Sequence, residues 1–137
     1  MLYTEDVKKK LDAILKAFES YIDGQDYFDI VYSKKIGYTW IVVDPPSGAG
    51  AEQLDTPEKM LDVLFNEVVN DVINAPENPD HDHDAPPLTE WEEAESRRRL
   101  TAILETIEDN AAEYLNHLDA YIKGYQERYR GDGDCGE

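Results

Sequence analysis

Tyr27-Phe28-Asp29-Ile30-Val31-Tyr32, followed by Ser33-Lys34-Lys35-Ile36-Gly37 and then Tyr38-Thr39-Trp40-Ile41-Val42-Val43, is the stretch that decides the fold class. The outer two segments are rich in β-branched and aromatic residues, which fit a pleated, half-buried surface. The middle segment is a turn, in which Gly37 can take the positive φ of a bulged hairpin. Pro45-Pro46 ends the second strand. A lone two-stranded ribbon is marginal in water, so helices must cover one of its faces.

Upstream, Val7, Leu11, Ile14, Leu15, Phe18, Tyr21 and Ile22 recur at steps of three and four, as on the apolar stripe of a helix over 5–23. Thr4 is placed to cap it, Glu5 and Asp6 sit at the positive end of its dipole, and Gly24 stops it. Downstream, residues 47–55 read as a Gly/Ala loop. Thr56-Pro57-Glu58 opens a second helix, whose buried side is Met60, Leu61, Leu64, Phe65, Val68, Val72 and Ile73 and whose end is Pro76.

Residues 76–88 hold four prolines and four acids and read as a mobile linker. Thr89 and Glu92 then form a capping box. From there a helical pattern continues to about Tyr129. A straight helix of that length would extend about 60 Å, so it is expected to bend or split, with Asn110 the candidate break.

The expected fold is therefore α+β, in the order α-β-β-α-α, with three helices packed on a small antiparallel hairpin and a long C-terminal helix. The expected organisation is a single acidic domain over 1–130, the 76–88 linker inside it, and a disordered tail over 131–137.

Composition narrows the function. Leu, Ile, Val and Phe number 31 of 137 residues, about 23%, just above the ~20% below which so charged a chain reads as disordered. Thirteen basic against 31 acidic side chains leave a net charge of −18. That argues against direct binding to nucleic acid or to anionic membranes. No apolar run approaches the ~18–20 residues needed to span a bilayer, and the opening Met1-Leu2-Tyr3-Thr4-Glu5 is not a signal peptide. The single cysteine, Cys135, forbids an internal disulfide and suits a reducing cytoplasm.

The charge is lopsided. Residues 1–50 carry 6 basic and 8 acidic groups, whereas 51–137 carry 7 and 23. Between 52 and 95, Lys59 stands alone against 14 acids. Arg97-Arg98-Arg99 has acids four residues earlier in Glu93 and Glu95, so it reads as a solvated, ion-paired helix face.

Catalytic signatures are weak. His81 and His83, with Asp80, Asp82 and Asp84, offer imidazole and carboxylate donors but no preorganised site, and adventitious metal binding is the expected behaviour. Read as a calcium loop from Asp80, the sixth position is Ala85 instead of Gly and the twelfth is Trp91 instead of Glu. Glu113 and His117 share a helix face without a second such pair. Gly48-Ala49-Gly50 lacks the rest of a phosphate loop. Ser20, Ser33, Ser47 and Ser96 have no nucleophile-elbow setting. No enzyme and no cofactor is expected.

Beside a weak metal-binding protein acting through His81 and His83, two readings follow. In the first, the chain is an acidic interaction module that blocks or regulates a basic partner, such as a nuclease or another nucleic-acid-binding protein. It would behave by analogy like nuclease inhibitors, immunity proteins and phage anti-defence DNA mimics. Its partner-binding residues would be Glu52, Asp55, Glu58, Asp62, Glu67, Asp71, Glu77, Asp80, Asp82, Asp84, Glu90, Glu92 and Glu93. In the second, Leu104, Ile107, Tyr114, Leu118, Tyr121 and Tyr125 form a heptad-like seam that closes a homodimer. The same spacing also suits an ordinary core helix.

Overall fold

The computed structural model describes residues 3–25, 28–44, 48–79, 88–107 and 111–135, with side chains described for all of these except 43–44, 48–50 and 128–135. The chain is α+β, with five helices and one three-stranded antiparallel sheet. It divides into two compact units, 1–63 and 64–137, and the boundary falls inside a helix.

The first unit begins with α1, Glu5–Ala17, whose N-cap Thr4 accepts a hydrogen bond from the Val7 amide at 3.1 Å. Leu11 and Ile14 are its buried residues. The expected single helix over 5–23 is broken at Phe18, and α2, Glu19–Asp23, follows. The apolar spacing hides this break because the four-residue step is kept across it. The Phe18 amide donates to the Ile14 carbonyl and the Ile22 amide to the Phe18 carbonyl. Phe18 and Ile22 both stay buried. Gly24 caps α2 with φ −83°, so its left-handed freedom is not what ends the helix.

The sheet contains β1, Phe28–Ser33, β2, Gly37–Asp44, and β3, Gly48–Gln53, in that spatial order. The expected hairpin is present: Phe28 pairs with Val42, Ile30 with Trp40 and Ser33 with Gly37. The Gly/Ala stretch expected as a loop is instead the third strand, with Thr39 opposite Gln53 and Asp44 opposite Gly48. Glycine and alanine have low β-propensity, so nothing local announces this strand. It forms by pairing with a partner strand already in place.

Alternation assigns two faces. Phe28, Ile30 and Tyr32 share one with Tyr38, Trp40 and Val42. Asp29, Val31 and Ser33 share the other with Thr39, Ile41, Ala51 and Gln53.

One buried side chain joins the N-terminus to this sheet. The Tyr3 hydroxyl donates to the Leu54 carbonyl at 2.8 Å and accepts from the Tyr38 amide at 2.8 Å. Its ring stacks on Tyr38 at 6.3 Å. It can reach there because Gly37 has no Cβ and takes φ +82°.

The boundary helix is α3, Pro57–Ile73. Its expected cap is present, since Thr56 Oγ1 accepts from the Lys59 amide at 3.1 Å. In the second unit its C-terminal half is accompanied by α4, Glu90–Leu104, and α5, Ala111–Cys135. The capping box of Thr89 and Glu92 is complete. The expected long third helix is split: α4 ends at Leu104, and the Thr106 and Ile107 amides turn back to the Ile103 and Leu104 carbonyls. Thr106 Oγ1 also donates to the Ile103 carbonyl at 2.7 Å, which closes the end of the helix. The proposed break at Asn110 lies outside the described residues.

α4 and α5 run antiparallel. Glu93 meets Gln126, whereas Arg97, farther along α4, meets Asp119, which is earlier on α5. The α5 backbone takes in residues 131–135 of the segment read as tail.

Candidate interaction surface

Helix geometry sorts the acidic residues into three groups. The first is buried. Glu67 and Glu92 are 3% and 1% exposed, so neither presents a carboxylate to a partner, and both leave the expected binding set. Glu92 serves the fold instead: one oxygen accepts from the Thr89 amide at 2.9 Å and the other from the Asn78 side-chain amide at 2.9 Å. Asn78 also donates to the Ile73 carbonyl, so the end of α3 and the start of α4 are fastened together. The sequence signal for this was the capping box, which assigns the Glu92 carboxylate to the backbone rather than to solvent.

The second group is neutralised within the chain. Glu93 pairs with Arg97 at 3.3 Å and accepts from Gln126 at 2.9 Å. Glu77 pairs with Arg99 at 3.0 Å, and Glu52 with Lys59 at 3.7 Å. Glu95, outside the expected set, binds both Arg98 at 2.5 Å and Arg99 at 2.7 Å. These two guanidinium hydrogen bonds hold its carboxyl at about 2, well below the usual carboxylate range. Arg97 also pairs with Asp119. All three consecutive arginines are thus engaged by the chain's own carboxylates, as expected of an ion-paired face.

The third group faces solvent. Asp55, Glu58, Asp62 and Glu90 are exposed, and Asp71 is half-buried. Glu105, Glu113 and Glu127, outside the expected binding set, are exposed as well. Asp80, Asp82, Asp84, His81 and His83 lie outside the described residues. Among the described residues no group of three metal-ligating side chains occurs.

In the first unit Asp12 pairs with Lys8 at 3.2 Å and also accepts from the Tyr38 hydroxyl. Burial, followed by that hydrogen bond and the carboxylate charge, pushes the Tyr38 phenol well above its ordinary value, so it stays a donor. Asp6 pairs with Lys10 at 3.7 Å.

The seam residues face inward within their own unit. Leu104, Ile107, Tyr114 and Leu118 are buried, the last two at 3% and 2% exposure. Tyr121 packs edge-on against Phe65 at 5.6 Å and donates to Asn66 Oδ1 at 3.3 Å. Tyr125 lies 6.3 Å from Tyr121. The heptad spacing is thus met by α3 of the same chain. His117 lies against the Phe65 ring at 5.9 Å, while Glu113 is exposed. Gly48-Ala49-Gly50 is part of β3 rather than a phosphate-binding turn.

Among the described residues no helix is long and apolar enough to cross a membrane. No family model, curated protein or solved structure matches the chain.

Proposed function

We propose that the chain is an acidic protein–protein interaction module that occupies a basic surface of a partner, of the kind that otherwise holds nucleic acid. One observation carries the reading. The second unit has 6 basic and 19 acidic side chains, a net charge of −13, and its arginines at 97–99 are already bound by its own carboxylates. With that net charge the second unit projects a strong negative field. A net charge of about 2–8 suffices to keep a small domain soluble. Complementary charge speeds encounter with a basic partner and selects against acidic ones.

The binding residues are the exposed acids of the second unit: Glu90, Glu105, Glu113 and Glu127. A homodimer through the α5 seam has less support, because Tyr114 and Leu118 are already covered.

The test neutralises Glu90, Glu105, Glu113 and Glu127 together, to Gln, and leaves Glu67, Glu92 and Glu95 intact so that the fold survives. Wild type and variant, each immobilised, are exposed to nuclease-treated host lysate and washed at low and high salt. The expected result is a basic protein held by the wild type at low salt, released at high salt and missed by the variant. Equal retention by the variant would refute the proposal.

A further inference from the structure

Among the described residues the large apolar side chains left exposed are Val31, Tyr32 and Ile36, at 39%, 48% and 44%. All three lie within six residues, at the tip of the β1–β2 hairpin, with Val31 on the face opposite to Tyr32. Lys34 and Lys35 stand between them, exposed and without an ion-pair partner among the described residues. The run from Ile30 to Val43 contains these two lysines and no acid, in a chain whose net charge is −18. The tip is thus apolar and basic, opposite in character to the rest of the surface.

The tip is also held in shape. Ser33 Oγ accepts from the Lys35 amide at 3.2 Å, and Gln53 on β3 donates to the Ile36 carbonyl at 2.9 Å. The Tyr32 ring sits edge-on to Tyr38 at 5.0 Å, and Lys8 Nζ lies 5.5 Å from the Tyr32 centroid. A surface fixed in this way loses little side-chain freedom on docking. Two acids are near. Asp12 is taken up by Lys8 and Tyr38, and Asp29, on the Val31 face, accepts from the Ile30 amide at 2.8 Å.

We infer that the hairpin tip docks an acidic protein segment in which carboxylates flank an aliphatic or aromatic side chain. Clustered exposed apolar groups in a charged surface mark interaction sites. Lys34 and Lys35 select the charge of the occupant, while Tyr32 and Ile36 supply the area it covers. None of these residues belongs to the acidic set of the proposed function.

Fluorescence anisotropy of the full-length protein with a short dye-labelled peptide alternating glutamate with leucine tests the inference. Saturable binding is expected, with K34E/K35E and Y32S/I36S each weakening it by about tenfold. A K9E/K16E control makes the same change in net charge outside the hairpin, on α1, and should leave affinity unchanged. Circular dichroism confirms that each variant is folded. The inference is overturned by undetectable peptide binding, by equal affinity in the tip variants, or by an equal loss in the control. It is likewise overturned if a dT oligonucleotide binds the tip more tightly than the peptide, or if sedimentation shows a dimer that the tip substitutions dissociate.

Discussion

Replacing Gly37 with alanine should unfasten the N-terminus from the sheet. Gly37 has φ +82°, where an alanine costs roughly 1–2 kcal/mol. Its new Cβ would also lie 2.6 Å from Tyr3 Cζ, and closer still to the hydroxyl, so the ring must leave. Departure strands the Tyr38 amide and the Leu54 carbonyl, which the Tyr3 hydroxyl now satisfies. Leaving buried polar groups unpaired adds about 1–3 kcal/mol. The expected loss is therefore roughly 2–5 kcal/mol.

Urea unfolding followed by Trp40 fluorescence in a Trp91→Phe background reads this loss in the first unit. Tyr3→Phe alone removes only the hydroxyl and should cost about 1–3 kcal/mol. Because Gly37→Ala already displaces that hydroxyl, the double variant should cost less than the sum of the two. A Gly37→Ala protein within about 0.5 kcal/mol of wild type would refute the reasoning. So would strictly additive costs, since they would mean that Tyr3 does not occupy the space beside Gly37.

Three further outcomes follow from the second unit. Glu92→Ala should cost about 2–4 kcal/mol in denaturant unfolding, through loss of the capping box and of the Asn78 bond, whereas exposed Glu90→Gln should stay within about 0.5 kcal/mol. Glu95, held at about 2 against an unfolded value of 4.5, binds fewer protons folded than unfolded. Its contribution to stability is therefore complete above pH 4.5 and fades as pH falls towards 2, and Glu95→Gln should flatten that limb of an acid titration followed by circular dichroism. Leu118→Ala, at a position 2% exposed, should cost about 2–5 kcal/mol and leave the sedimentation coefficient of the folded protein unchanged.

The sequence by itself determined the features that depend on neighbours along the chain. The three threonine caps, the hairpin with its register-setting Gly37 and the pairing of Arg97–Arg99 with Glu93 and Glu95 all arise within a few residues, where residue type constrains backbone and partner directly. Tertiary structure decided the rest. β3 is a strand only because β2 lies beside it; Gly and Ala carry no such preference. Glu67 has the composition of a surface residue, yet packing buries it. The Tyr and Leu spacing on α5 suits a partner helix from any source, and Phe65 and Asn66 of α3 supply that contact from within. Periodicity specifies that a face must be covered, but the covering element is set by contacts between residues far apart in the chain.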